Sequence, residues 1–176
     1  MQSLRDTRPE DAEAIARLHV EIWRTTYRPF VPQAVYDRLD VPARVIQWQE
    51  LLAPADDGRG TLLAEADGVL AAFSHYGPPG DPVFGDLGEL KKLYVAEAFA
   101  RRGLGRLLLL ASAKRLRDQG YPGIGVGVLA DNLPARAFYE AQGGKLIASY
   151  VDPGPNWRSD NVVYAWHDFA AFGSLS

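Results

Sequence analysis

Apolar positions near the start of the chain fall at helical spacing. Ile15, Leu18 and Ile22 recur at i, i+3 and i+7, which predicts one helix over about residues 8–27. Thr7-Arg8-Pro9-Glu10 has the form of a capping box at its start, and Phe30-Val31-Pro32 breaks it. Two shorter helices are expected over 33–39 and 42–52, the second with Asp40 as N-cap. The pattern then turns β-rich over 61–66 and 69–76, two runs joined by Asp67-Gly68, a strong hairpin signal. A strand is predicted over 89–95, an apolar helix over 103–119 stopped by Gly120 and Pro122, and a strand over 124–129. A helix over 134–142 capped by Asn132 and ended by Gly143-Gly144 follows. Strands over 145–151 and 161–167 close the chain around Asp152-Pro153-Gly154-Pro155. A hairpin leading into β–α–β–α and two closing strands, without repeat or linker, reads as one α+β domain over 1–176 with a mixed sheet.

Composition narrows the chemistry. With 47% apolar and 23% charged residues in 176, the chain has the make-up of a soluble globular protein, and a net charge of −3 argues against a general nucleic-acid binder. There is no cysteine, which removes disulfides, thiolate zinc sites and any acyl-cysteine intermediate. His19, His75 and His167 are far apart and no HExxH pattern occurs, so no metal is expected. The longest apolar run, Leu107 to Ala111, is too short for a bilayer, and the opening Met-Gln-Ser-Leu-Arg-Asp has no hydrophobic signal region. A cytoplasmic protein with no membrane or nucleic-acid partner is the expectation. The small net charge hides an asymmetry. Residues 91–117 hold eight basic groups and one acid, a local +7 set in a remainder of −10.

Inside that window, Arg101-Arg102-Gly103-Leu104-Gly105-Arg106 lies between a strand and a helix. Its glycines let backbone amides approach an anion, the helix start adds partial positive charge, and guanidinium forks suit phosphate oxygens. The plainer reading, a glycine turn that starts a helix among solvated arginines, carries equal weight on these residues alone. Gly125-x-Gly127-x-x-Ala130 has the letters of a dinucleotide motif but falls inside a strand, and Gly144-Lys145 lacks the upstream glycine of a P-loop.

Taken with Leu93-Tyr94-Val95 and with Asn132-x-x-Ala135-x-x-Phe138-Tyr139-x-x-x-Gly143-Gly144, the loop resembles the GNAT superfamily of acyl-CoA-dependent N-acetyltransferases. The layout of helices and first hairpin is similar too, so the likeness covers nearly the whole chain. The family writes its loop Q/R-x-x-G-x-G/A; Ala100 stands at the Q/R position here, with Arg101 and Arg102 directly after it. The resemblance implies a mixed, mostly antiparallel sheet flanked by helices, with central strands splayed to hold acetyl-CoA. It also implies that main-chain groups of Leu93, Tyr94 and Val95 meet the pantetheine arm, and that Arg101, Arg102, Gly103, Leu104, Gly105 and Arg106 hold the pyrophosphate. Asn132 then either reaches the cofactor or merely caps its helix.

By the same resemblance Tyr139 is the acid that protonates the leaving thiolate, and the Val95 amide faces the developing oxyanion. Glu89, at the start of its strand, matches a position where some relatives carry a base, acting through water; His75 is its rival. With no cysteine, transfer would pass directly from CoA to amine. Trp23, Tyr27, Phe30, Tyr36 and Trp48 crowd the N-terminal helices, where such aromatics are first of all core. Trp23 and Tyr27 are the two assigned to substrate, the loop from Asp152 to Arg158 with Trp157 to its cover. Asp37, Asp40 and the acidic remainder would tolerate a cationic acceptor. The acceptor itself, a small-molecule or peptide amine, has no motif, and a homodimer through the C-terminal strands fits the resemblance. The competing function is a non-catalytic acyl-CoA-binding or regulatory domain on the same fold.

Overall fold

The computed structural model describes residues 1–154 and 157–173. Among them, seven strands form one sheet: β1 (Gln2–Asp6), β2 (Gly60–Ala66), β3 (Val69–Gly77), β4 (Gly88–Val95), β5 (Ile124–Leu129), β6 (Lys145–Asp152) and β7 (Ser159–Trp166), in the order β1-β2-β3-β4-β5-β7-β6. Every neighbouring pair is antiparallel except β4 and β5. The helices are α1 (Ala12–Ile22), α2 (Gln33–Tyr36), α3 (Val41–Leu52), α4 (Leu104–Asp118) and α5 (Leu133–Ala141).

Strand alternation divides the core between the two faces of the sheet. Leu63 and Phe73 meet Ile15, Leu18, Ile22 and Trp48 of α1 and α3. Leu62 and Leu90 meet Leu104, Leu108, Leu109 and Leu116 of α4 on the other face. The Asp67-Gly68 turn has φ of 56° and 79°, the left-handed pair that a tight hairpin requires. Asp40 caps α3, accepting from the Ala43 amide at 3.1 Å. Gly103 (φ 86°) and Gly143 (φ 85°) bound α4 and α5 as the glycine positions implied.

Two local expectations are corrected. The first helix does run from Pro9 to Tyr27, but as a 3-10 turn, α1 and a closing π turn (Trp23–Tyr27). Its cap is one residue later than Thr7-to-Glu10: the Asp11 carboxylate accepts from the Arg8 amide at 2.7 Å. The Thr7 hydroxyl donates instead to the Thr61 carbonyl at 3.4 Å. Strand β1 carries no hydrophobic signal at all, because it is an edge strand whose single apolar side chain, Leu4, is itself exposed. Its place is set by main-chain pairing with β2 and by Arg5, which reaches Asp11 at 2.8 Å and Glu65 at 3.1 Å. Gly125 and Gly127 are packing glycines: a Cβ on the first would lie 2.8 Å from Phe84, and one on the second would strike the Tyr150 hydroxyl.

No helix among the described residues is long and apolar enough to cross a membrane, and no cluster of three or more His, Asp or Glu side chains is placed to hold a metal.

Candidate active site

The feature that organises the site is the divergence of β4 and β5. They pair only at Gly88 with Ile124 and Glu89 with Gly125, then part. The Ala96 amide donates to the Ala71 carbonyl at 2.8 Å, and Tyr94 pairs with Phe73. Because hydrogen-bonded pairs alternate along an antiparallel ladder, Leu93 and Val95 turn their amides and carbonyls away from β3, into the gap. The register of β3 against β4 slips between His75 and Tyr76, so Lys91 is the extra residue of a bulge. Downstream of it, Lys92 and Tyr94 point toward α1 and α3, while Leu93 and Val95 pack on the α4 side.

The gap leads to the start of α4. Arg101 takes φ of 61° and Gly103 caps the helix in the left-handed region. No side chain caps this terminus, and Leu107 is the first residue whose amide finds a helical acceptor, the Gly103 carbonyl at 3.0 Å. Among the described residues the amides from Arg101 to Arg106 therefore make no hydrogen bond within the protein, an arrangement suited to an anion. A Cβ on Gly105 would lie 3.3 Å from Phe138 and 3.7 Å from Val95, so this glycine also lets α4 approach α5. The arginines themselves are spread. Arg102 lies 3.4 Å from Asp67 and over the Phe99 ring, Arg106 bonds Gln142 at 2.8 Å, and Arg101 is exposed.

Across the gap, Asn132 Oδ1 accepts from the Ala135 amide at 3.2 Å and caps α5. Tyr139 is buried beside Phe138, Tyr164 and Trp166. Burial and the neighbouring Tyr94 phenol push its hydroxyl far above the ordinary tyrosine range, so it stays protonated. Its hydroxyl has no hydrogen-bond partner among the described residues.

On the other side of β4, Trp23, Tyr27 and Tyr94 come together. Trp23 stacks on Tyr27 at 5.0 Å and donates toward the Tyr94 hydroxyl at 3.4 Å; Tyr27 meets Tyr94 edge-on at 5.6 Å. Trp157 meets Trp23 at 5.6 Å, which brings the β6–β7 loop onto the site; Pro155 and Asn156 of that loop lie outside the described residues. Trp48 belongs to the core, and Tyr36 lies under Arg28. Glu89 accepts from Lys91 at 2.6 Å and from the Gly80 amide at 2.7 Å. His75 is buried, bonds Thr61 at 2.8 Å and is driven down to about 3 by desolvation and by Lys92, Lys91 and Arg59, so it stays neutral. Asp37 and Asp40 are spent on Gln33 and on the α3 cap.

Sequence reasoning missed His19, Arg44 and Lys92, which share a cavity of about 260 Å³ with Trp23, Tyr94 and Trp157. Lys92 was visible only as one charge of the basic window, and Arg44 had no signal at all.

An open mixed sheet with an uncapped helix start at the mouth of its parting strands is what the resemblance to the GNAT superfamily implied. The chain matches the Acetyltransferase (GNAT) family profile over residues 15–144 and belongs to that family. It is 29% identical to the Uncharacterized N-acetyltransferase YuaI of Bacillus subtilis (strain 168), over 99% of this chain and 98% of that one. Among solved structures it resembles the PaiA N-acetyltransferase of Thermoplasma acidophilum in complex with coenzyme A, with a TM-score of 0.70 and 19% identity over 94% of this chain and 99% of that one. The structure of YncA of Salmonella typhimurium with acetyl-CoA gives 0.69 and 20% over 94% and 93%.

Proposed function

We propose that this protein transfers an acetyl group from acetyl-CoA to a primary amine. The observation that carries the reading is the alignment of unpaired main-chain groups along the gap, from Leu93 and Val95 to the free amides of 101–106. These suit an extended arm that pairs like an added strand and a pyrophosphate held on a helix start. The PaiA and YncA structures, which carry coenzyme A and acetyl-CoA, have the same fold.

Acetyl-CoA would supply the acetyl group as a thioester. The Val95 amide, turned into the gap, donates to the carbonyl oxygen as negative charge develops there. The amine nitrogen bonds the acetyl carbon, the carbon–sulfur bond breaks, and Tyr139, kept protonated by burial, returns a proton to the sulfur. The amine proton leaves through water toward Glu89. Asn132, with Oδ1 engaged in the cap, keeps its amide group for the cofactor side. Trp23 and Tyr27 wall the acceptor end. Tyr94 serves both sides, its main chain in β4 and its phenol toward the acceptor. A homodimer would form at β6, the sheet edge where Leu146, Ile147 and Val151 are exposed.

The test is thermal stabilisation by acetyl-CoA followed by thiol release over a panel of amines. Stabilisation with turnover is expected. Stabilisation without turnover of any amine would favour a regulatory acyl-CoA-binding domain, and neither result would overturn both.

A further inference from the structure

The acceptor end of the cleft carries an electrostatic problem. His19 on α1, Arg44 on α3 and Lys92 on β4 line the same two cavities, of about 260 and 390 Å³. His19 is only 2% exposed. Its Nδ1 accepts the Trp48 indole N–H at 3.1 Å, so its proton sits on Nε2. That nitrogen has no hydrogen-bond partner among the described residues. Arg44 reaches Gln47 at 2.8 Å and lies 5.9 Å from the Trp23 ring, with no carboxylate in ion-pair range among the described residues. Lys92 makes no ion pair among the described residues either, whereas its neighbour Lys91 is bound by Glu89. The smaller cavity presents Arg44, Lys91 and Lys92 against one acid, Asp152, whose carboxylate already accepts the Gly154 amide at 2.8 Å.

A half-buried cation without a partner is expensive, and a buried N–H without an acceptor adds to the cost. The three groups also oppose one another: Arg44 and Lys92 both disfavour protonation of His19, and Arg44 does the same to Lys92. Charge of this kind persists in a cavity where a ligand supplies the missing negative oxygens. All three are donors, so an ammonium group has nothing to bind among them.

We propose that the acceptor amine also bears an acidic oxygen group, a carboxylate or a phosphate, seated between Arg44 and Lys92 beside His19. This rests on the acetyltransferase reading and names the class of its acceptor. The cavity wall of Trp23, Tyr94 and Trp157 fits a small molecule whose acidic end lies at Lys92 and whose amine lies nearer Tyr94 and Val95, two and three residues on along β4.

Matched pairs test it. Thiol release at saturating acetyl-CoA is measured for amino acids against their amides, and for O-phosphoethanolamine against ethanolamine, with spermidine as the cationic arm. Binding of the same compounds is followed by quenching of tryptophan fluorescence, since Trp23, Trp48 and Trp157 border the cavities. At least one acid-bearing amine should exceed its neutral partner tenfold or more in kcat/KM, the better arm telling carboxylate from phosphate. Lys92→Met and Arg44→Gln should each raise KM for that amine about tenfold while leaving acetyl-CoA affinity unchanged, and Lys92→Arg should restore part of the loss. Equal or better use of amides, ethanolamine or spermidine overturns the proposal while leaving the acetyltransferase reading in place. So does acetyl-CoA binding with no quenching by any acid-bearing amine. Failure to bind acetyl-CoA overturns the acetyltransferase reading itself.

Discussion

The Trp48 indole donates to His19 Nδ1 across 3.1 Å, and this single bond between α3 and α1 decides which nitrogen of His19 carries the proton. It leaves the proton on Nε2, a buried nitrogen without a hydrogen-bond partner among the described residues. Trp48, one of the largest fully buried side chains, thereby links the core to the site.

The two buried histidines predict a pH dependence of stability. Desolvation keeps both neutral: His19 is held well below its ordinary value and His75 at about 3. An unfolded histidine protonates below about pH 6.5, so the unfolded chain binds more protons and stability falls as pH falls. For His75 the loss starts near the unfolded value and continues to about pH 3. Urea unfolding at pH 7 and pH 5 should differ by about 2 kcal/mol through His75 alone, with His19 adding in the same direction. His75→Asn should remove about that 2 kcal/mol. A stability that is flat between these pH values would refute the burial argument.

Tyr139 should matter to chemistry and not to cofactor affinity. Tyr139→Phe keeps the ring contacts with Tyr164 and Trp166 and deletes only the hydroxyl. We expect kcat to drop about 100-fold with the acetyl-CoA dissociation constant unchanged. Because burial raises this phenol far above its usual range, the wild-type rate should show no fall from Tyr139 ionisation up to pH 10. A fully active variant would make Tyr139 a core residue only.

Gly105 sits where two explanations of a glycine turn part company. Gly105→Val would drive a side chain into Phe138 and Val95, so lost acetyl-CoA binding alone would be ambiguous. Adding Phe138→Leu makes room. The double variant should regain thermal stability yet still bind acetyl-CoA at least tenfold more weakly, because the valine crowds the free amides. Recovery of both would assign Gly105 to helix packing.

Elements with a strong period or strong punctuation were legible in the sequence. Helices α3, α4 and α5, the Asp67-Gly68 hairpin and the loop at 101–106 stand where their caps and glycines implied. Strand β1 was not, since an exposed edge has no hydrophobic alternation to reveal it. The acceptor cavity was invisible for a different reason. His19, Arg44 and Lys92 come from a helix, another helix and a strand, and only the tertiary packing cancels the ion pairs that would otherwise explain their charges. The local +7 was a true signal read too coarsely. Arg115 is spent on Asp6, Arg102 on Asp67, Lys91 on Glu89, Lys114 and Arg117 on Asp118 and Arg106 on Gln142; of the other two, Arg101 is exposed in the loop before α4 and Lys92 lines the cleft.

Glu89 poses the sharpest remaining alternative, because the same carboxylate that would receive the amine proton ties Lys91 and the Gly80 amide. Glu89→Gln separates the two roles. The glutamine keeps an acceptor for the Gly80 amide but cannot take a proton or balance Lys91. If Glu89 is the base, kcat should fall about 100-fold at pH 7 and recover steeply as pH rises toward the amine's own titration, where free amine no longer needs a base. KM for acetyl-CoA should stay the same. If Glu89 only anchors the loop before β4, kcat should be unchanged across pH while stability drops by about 1 kcal/mol, the usual worth of a partly exposed ion pair and its hydrogen bond. Rate profiles from pH 6 to 10 together with urea midpoints for the two proteins distinguish these outcomes.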